Sequence, residues 1–509
     1  MDSDRLAPWL FAVGLTVLVL AELFFLVKVS TPLFEFLVPA RGLVLTLSQD
    51  TTDCVKYKNN SVYKIKQTFE DFSNGKFYNP WATQPIIIEP TRKKMTELSE
   101  NTALSQRAVY ADMFGFKNTL SNFNHNEIAA HRSRLFSLIL SVRGKGHLRQ
   151  VSPYLHKRME IFVENELSPR PAMTSDSIKI GLADTCKLVN SRLMAVAFFG
   201  EKLASEPIFA EAIYQHPLQT VTCMSLFQLA PSFMYRFISA IVTRNGQAMK
   251  QVEERVCPII EKGVDSWDHP SQVEHTILYN MIEETKDNRG YWTPAAVCQA
   301  IMGLWLAASH QPWVNMYIFI YQLCTHPEWQ DIIRDEFRTN GSGLDFDSLE
   351  NLPLLDSFMR ESSRFHCLDK LNIRRKAMGD YTFSDGSTFA PKGSTVCVSN
   401  YDVSHDPGNY PNPDIFDGFR FVRGRSNDRT TGYADVSEKN LMWGYGSLAC
   451  PGRVHASFVI KFVLCSLLLR YDMRLEREDM RSHWTYESFS MPYGSTNVML
   501  QPRETSSQA

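Results

Sequence analysis

Two long apolar stretches stand out along the chain, and each predicts a helix. Residues 7–27 (APWLFAVGLTVLVLAELFFLV) contain one ionisable side chain, Glu22, and are long enough to cross the hydrocarbon core of a bilayer. Residues 293–323 are also apolar, but the polar centre "SHQP" and polar flanks favour a helix buried in a protein core. Thr293 is a suitable N-cap for this helix, with Pro294 in its first turn.

A cleaved signal peptide is the alternative explanation for the first stretch. Such a peptide has a basic n-region and a small-residue cleavage site. Here Asp2 and Asp4 outweigh Arg5, and no A-x-A pattern follows. We therefore expect an uncleaved transmembrane anchor within residues 1–30, followed by one large domain over residues 31–509.

The remaining pattern predicts a mainly α domain with a small β region. From about residue 94 to 350 the apolar positions have mainly helical spacing. Short strands and turns follow over 372–398, with "SDGS" and "PKG" as turn signals. Residues 453–470 predict another helix, and 491–500 predict a hairpin.

Charge and cysteine content narrow the class of protein. The net charge of −2 over 509 residues gives no reason to expect nucleic acid as a partner. Ten cysteines run from Cys54 to Cys465 without a CxxC pair or zinc spacing, which fits a reduced compartment. Lys28 and Arg41 follow the apolar stretch, so the positive-inside tendency places the domain in the cytosol.

One cysteine has an unusual setting, in "WGYGSLACPGR" over residues 443–453. Gly444, Gly446 and Gly452 let the backbone turn sharply and approach another group closely. Cys450 precedes the predicted helix, whose N-terminal dipole and free N–H groups favour a thiolate. A buried packing cysteine and a reactive nucleophile are the alternatives, but a thiolate in such a loop suits the proximal ligand of haem iron.

These residues resemble the haem-binding loop of the cytochrome P-450 family, in which Trp443 stands where Phe is common. "ESSR" is similar to the family's E-x-x-R helix, with Glu361 and Arg364 able to pair on one face. "HDPGNYPNPDIFDGFRF" resembles the segment that adds Arg420 to this ion network. The resemblance implies the P-450 fold, haem b held by the Cys450 thiolate, and cofactor contacts from Trp443 and the loop glycines.

The same resemblance raises the question of which cations bind the haem propionates. The family's loop usually has Arg or His two residues before the cysteine, but this chain has Leu448. Arg374 or Arg375 in "NIRRK", and Arg134 or His131 in "HRSRLFSLILS", are the candidates that replace it.

The centre of the long apolar helix departs from the family's oxygen-binding segment. His310 fits a fungal variant of the acid position, whereas Gln311 replaces the usual threonine. Pro312 has no N–H, so the carbonyl of Ala308 loses its helical partner and a kink is expected. We hypothesise that His310, with Ser309 or ordered water, relays protons in place of the missing alcohol.

The resemblance implies a membrane-anchored monooxygenase of fungal secondary metabolism, single-pass in the endoplasmic reticulum and facing the cytosol. It would use O2 and electrons from NADPH through NADPH–cytochrome P-450 reductase, since the chain has no nicotinamide or flavin fingerprint. Apolar stretches that resemble the family's pocket lining predict a small apolar substrate, such as a terpenoid or related polycycle; they are residues 112–123, 220–234, 303–307, 365–372 and 490–497. The alternatives are a desaturation, rearrangement, dehydration or isomerisation on the same haem, or a non-catalytic haem-binding scaffold.

Overall fold

The computed structural model describes residues 85–120, 134–167, 177–227, 230, 232–263, 276–340, 343–423, 432–486 and 488–503. The predicted anchor and His131 lie outside these residues. Within the described ranges, no helix combines the length and the apolar character that a bilayer span requires. The described chain is mostly helical with small sheets, as the apolar pattern predicts.

The elements are numbered in chain order. The helices are α1 (Arg92–Glu100), α2 (Gln106–Met113), α3 (Phe116–Thr119), α4 (Gly144–Phe162), α5 (Leu182–Ala204), α6 (Pro207–Phe227), α7 (Tyr235–Val242), α8 (Gln247–Lys262), α9 (Ile277–Thr285), α10 (Pro294–Thr325), α11 (Glu328–Asn340), α12 (Phe346–Glu350), α13 (Pro353–His366), α14 (Asn400–His405), α15 (Arg420–Arg423) and α16 (Arg453–Arg470). The strands are β1 (Ile86–Ile88), β2 (Leu104–Ser105), β3 (Ile178–Gly181), β4 (Leu371–Ala377), β5 (Tyr381–Thr382), β6 (Phe389–Ala390), β7 (Thr395–Ser399), β8 (Tyr471–Leu475), β9 (His483–Tyr486), β10 (Phe489–Pro492) and β11 (Asn497–Pro502).

Helix α10 is the centre of the core, which confirms the predicted buried helix. Its N-cap is Thr293, whose Oγ1 accepts a hydrogen bond of 3.2 Å from the Ala296 N–H. Trp305, Tyr317 and Phe319 are completely buried. Helices α5, α6, α8, α13 and α16 pack against it, so the middle of α10 is fixed from several sides.

The predicted strand region is confirmed as part of a four-stranded sheet in the order β1-β7-β4-β2. Strand β1 runs parallel to β7, with Ile86 opposite Val396. Strand β4 is antiparallel to β7 and to β2. Asn372 on β4 donates to the carbonyl of Leu441 at 2.9 Å, which ties this sheet to the start of the cysteine loop.

The predicted hairpin over residues 491–500 is wrong in its pairing. Strand β10 pairs with β9, whereas β11 lies between β3 and β8 in a separate sheet. Val498 and Leu500 of β11 are fully buried, which a central strand achieves and a two-stranded hairpin does not. The turn residues indicate a chain reversal but not the partner of each strand.

Candidate active site

The cysteine loop is shaped by glycines and closed by backbone hydrogen bonds. Gly444 and Gly446 have φ values of 84° and 62°, in the region that favours glycine. The Cys450 N–H donates to the carbonyl of Trp443 at 2.7 Å, which closes the loop. The Trp443 ring is fixed in turn, because its Nε1 donates to the Tyr433 carbonyl at 2.8 Å. Gly452, the third glycine of the loop, is the residue just before α16.

Cys450 lies at the N-terminus of α16, which begins at Arg453 as the sequence predicts. It is one of three described cysteines that keep accessible surface. Burial raises the pKa of the Cys450 thiol, and this outweighs the N–H groups of Gly452 and Arg453 and the Arg453 charge, which lower it. The N–H groups of the helix terminus therefore act on the thiol in the predicted direction, towards the thiolate, and burial opposes them. A metal cation bound to the sulfur would favour the thiolate further.

Two arginines, one from the same helix and one from a distant segment, meet at one buried carboxylate. Glu361 has no exposed side-chain surface and accepts from Arg364 Nε at 2.7 Å and Arg364 Nη2 at 2.9 Å. Arg420 Nε donates to the same carboxylate at 2.9 Å. The Asp417 N–H adds a further bond of 3.0 Å. This network locks α13 to the segment that leads into α15.

The structure separates the adjacent cations of β4. Arg374 is bonded to the Asp369 carboxylate, with Nη2 to Oδ1 at 2.7 Å, and to Ser488 Oγ at 2.7 Å. Arg375 is only 1% exposed, yet its one side-chain bond is from Nη1 to the Arg374 carbonyl at 2.9 Å. Its Nε is buried without a partner among the described residues. Arg375 therefore suits an anionic ligand better than Arg374, which already has its anion.

The other predicted propionate ligands receive less support. Arg134 is exposed, and His131 is outside the described residues. The backbone of Leu448 belongs to a short 3-10 turn over Gly446–Leu448. Among the predicted candidates, Arg375 on β4 is therefore the buried cation without an acidic partner in the described ranges.

The residues predicted to act on oxygen face different neighbours on α10. Gln311 is exposed, as is Ala307 one turn earlier, although α10 is otherwise largely buried. Ser309 is 8% exposed, and its Oγ lies 3.4 Å from the Leu306 carbonyl. Successive residues of a helix point about 100° apart, so His310 cannot share the face of Gln311. Gln311 and Ala307 form the accessible face.

His310 packs towards α5 and α6 beside Trp313, Lys187 and Tyr214. Its Nδ1 accepts from Trp313 Nε1 at 3.3 Å, which leaves the proton of the neutral ring on Nε2. Burial, assisted by the Lys187 charge, lowers the pKa of His310 to about 4. The imidazole is therefore neutral at pH 7.

Sequence reasoning missed Asn190 of α5, which touches this same turn. Its Nδ2 donates to the carbonyls of Ala308 at 3.1 Å and Ser309 at 2.8 Å. The signal was an asparagine, a residue type disfavoured in a helix interior, at the start of the largely apolar helical stretch "KLVNSRLMAVAFF". A buried amide in such a run usually has a specific partner.

These residues fit a haem group held through a thiolate. Cys450 supplies the sulfur ligand, the cation Arg375 lacks an acidic partner, and Ala307 with Gln311 offers an accessible helix face. Such a combination is the one expected of a mostly helical protein that holds a metal group through a thiolate and a carboxylate through a cation.

Comparisons with known proteins agree. A sequence profile described as Cytochrome P450 matches residues 88–498, and the chain belongs to this family. The chain is 24% identical over 462 residues to the cytochrome P450 monooxygenase janP of Penicillium janthinellum, covering 87% of this chain and 84% of that protein. It is 28% identical over 385 residues to the cytochrome P450 monooxygenase cdmJ of Talaromyces verruculosus, covering 73% and 71%.

A solved structure shows the same fold. Retinoic acid-bound cyanobacterial CYP120A1 superposes with a TM-score of 0.59 at 16% identity, over 81% of this chain and 87% of that one. The chain is therefore an oxidoreductase of the P450 monooxygenase type, with haem b bound through a cysteine as its cofactor.

Proposed function

We propose that this P450 adds one oxygen atom of O2 to an apolar secondary metabolite, of the terpenoid or a related polycyclic class. The observation that supports an apolar substrate is that the predicted pocket stretches, far apart in sequence, pack together. A Cβ on Gly115 would lie only 2.2 Å from the Phe227 ring, so α6 lies directly against the turn between α2 and α3. A Cβ on Gly303 of α10 would lie 4.0 Å from Leu120 Cδ2, which is an ordinary van der Waals contact.

The last two predicted pocket stretches are also joined. The Ser490 N–H donates to the Leu368 carbonyl at 2.8 Å, and the Lys370 N–H donates to the Ser488 carbonyl at 2.8 Å. Tyr317 of α10 donates from its hydroxyl to Thr496 Oγ1 at 2.7 Å. The stretches thus surround α10, which supports a pocket with apolar walls beside the accessible face of Gln311.

When bound, the haem supplies the activation of O2, with Cys450 as its thiolate ligand. The protein residues hold the haem and orient the groups around it. Arg375 would bind a propionate, and Gln311 presents an amide that can order water but is a poor proton donor. His310 carries its proton on Nε2 but lies on the face of α10 towards α5 and α6, so the proposed relay would need Ser309 or an ordered water to reach the accessible face.

We place the enzyme on the endoplasmic reticulum membrane, facing the cytosol, with electrons from NADPH through NADPH–cytochrome P450 reductase. The apolar sequence 7–27 supports the anchor. A second support is a stripe along α7 and the turn before it, where Phe233, Phe237 and Ile241 are 75%, 67% and 43% exposed. Spacing of four residues puts them on one helix face, as in a helix that contacts lipid.

The test is to express the full chain in yeast membranes with and without the reductase. A reduced, carbon monoxide-bound spectrum with the thiolate-type Soret band should appear, and it should be absent in Cys450→Ser. Candidate terpenoids should then yield a product that carries one atom from ¹⁸O2 and that requires NADPH. Folded protein without haem, or haem-loaded protein that leaves every terpenoid and polycycle unchanged, would contradict the proposal.

A desaturation, rearrangement or isomerisation is the second candidate. It is favoured by Gln311, because the accessible face of α10 presents an amide where the family usually has a hydroxyl. The same experiment separates the two reactions. A product that lacks ¹⁸O, or that forms without NADPH, indicates the second candidate.

A further inference from the structure

Pro312 leaves a defect in the backbone of α10 that another helix repairs. Proline has no N–H, so the Ala308 carbonyl cannot receive its usual bond from four residues later. The helix nevertheless runs from Pro294 to Thr325 without a break. Asn190 of α5 supplies the donor, because its Nδ2 bonds Ala308 O at 3.1 Å and Ser309 O at 2.8 Å.

The orientation of the Asn190 amide is determined by these bonds. A flipped amide would direct Oδ1 at two carbonyl oxygens, where no hydrogen is available for a bond. With Nδ2 facing the carbonyls, Oδ1 is left buried and without a partner among the described residues. The side chain has no exposed surface. A buried acceptor without a partner destabilises the fold, so any net stabilisation by Asn190 must come from the two hydrogen bonds that Nδ2 donates.

The turn that Asn190 holds contains the residues predicted to act on oxygen. Gln311 lies on the accessible face and His310 on the face towards α5, so a small rotation of this turn would move both. We propose that Asn190 is a positioning residue that replaces the missing Pro312 N–H and fixes the orientation of His310 and Gln311. The effect of Asn190 on catalysis rests on the proposed monooxygenase function, whereas its bonding to the α10 backbone does not.

The test is a double-mutant cycle in the haem-loaded full chain with Asn190→Leu and Pro312→Ala. Asn190→Leu keeps a similar volume but removes both donors, so the folding equilibrium constant should fall about tenfold. Pro312→Ala restores the backbone N–H, so in that background the same change should cost less than about threefold. Equal costs in both backgrounds would overturn the proposal.

Gln330 provides a matched control, because its buried side-chain amide also donates to two carbonyls, Leu323 O at 3.0 Å and Met473 O at 2.7 Å. Gln330→Leu should cost the same with either residue at position 312, since distant sites add. If Asn190→Leu does not accumulate, Asn190→Ser gives the same comparison, because its hydroxyl can donate to only one carbonyl.

A second measurement distinguishes positioning from stability. Asn190→Leu should raise the hydrogen peroxide released per NADPH consumed by several-fold, and the double variant should return towards the wild-type ratio. Gln330→Leu, although destabilised, should leave this ratio unchanged. An unchanged ratio in Asn190→Leu would refute the positioning role while leaving the proposed function intact. Absence of any NADPH-dependent turnover in the wild type would instead contradict the proposed function, and the stability cycle would still decide the bonding.

Discussion

Arg375 should contribute strongly to haem retention, and the structure gives a magnitude. The guanidinium is 1% exposed and has no acidic partner among the described residues, and burial lowers its pKa to about 10. One pKa unit is worth about 1.4 kcal/mol, so burial costs the charged form about 3 kcal/mol. A carboxylate that meets Arg375 relieves that cost, in line with the roughly 1.5–3 kcal/mol of hydrogen bonds to charged groups.

We therefore expect Arg375→Leu to release haem about 10- to 100-fold faster than the wild type. The assay is transfer of haem from the purified protein to an excess of a haem-scavenging apoglobin, followed by absorbance. Lys376→Leu is the matched control on the same strand, because Lys376 forms an accessible ion pair with Asp112. Its haem release should stay near that of the wild type.

Haem retention by Arg375→Leu equal to that of Lys376→Leu would contradict the proposed role of Arg375. Arg374→Gln offers a further contrast. It breaks the bonds to Asp369 and Ser488 and should lower the stability of the sheet, while haem release from the protein that remains folded stays slow. Fast release in Arg374→Gln alone would assign the propionate to Arg374 instead.

Three further results are expected. Glu361→Gln leaves two cations at a buried site and should cost about 3–5 kcal/mol in unfolding free energy, measured by urea titration, whereas Asp335→Asn in an exposed ion pair should cost under about 1 kcal/mol. Gly446 has a φ of 62°, and a Cβ added there would lie 2.9 Å from Ser99 Oγ, so Gly446→Ala should lower the free energy of unfolding by about 1–2 kcal/mol and reduce the thiolate-type spectrum on mild heating. Ser99→Ala should relieve part of the loss, and an unchanged stability in Gly446→Ala would refute the steric conflict. Burial lowers the pKa of His216 to about 4, so between about pH 6.5 and 4 only the unfolded chain binds this proton. As the pH is lowered through that range, the free energy of unfolding should decrease by up to about 1.4 kcal/mol per pH unit. His216→Gln should measurably reduce this slope.

Local features of the fold could be predicted from the sequence, because the signals are local. The bounds of α16 and the cap at Thr293 follow from apolar spacing and from residue types that satisfy helix ends. The pairing of β11 did not follow, since strand partners depend on which buried face is available elsewhere. Turn residues at positions 493–496 indicate only that the chain changes direction.

The site shows the same limit. Cys450 and Glu361 lie in motifs that a sequence displays directly. Arg374 and Arg375 are adjacent and chemically identical, so only the position of Asp369 in space separates them. Asn190 lies 118 residues from Ala308, and no local pattern links the two.

The sheet order has a consequence for how the chain is made. Strand β1 pairs with β7, so Ile86 has no strand partner until Val396, 310 residues later, has been synthesised. At roughly 5–20 residues per second, translation takes about 15–60 s to supply that partner. Strand β3 likewise has no partner until β11, near the last described residues, has been synthesised. For much of its synthesis the nascent chain therefore has unpaired apolar strands, which makes aggregation on the ribosome a hazard for this fold.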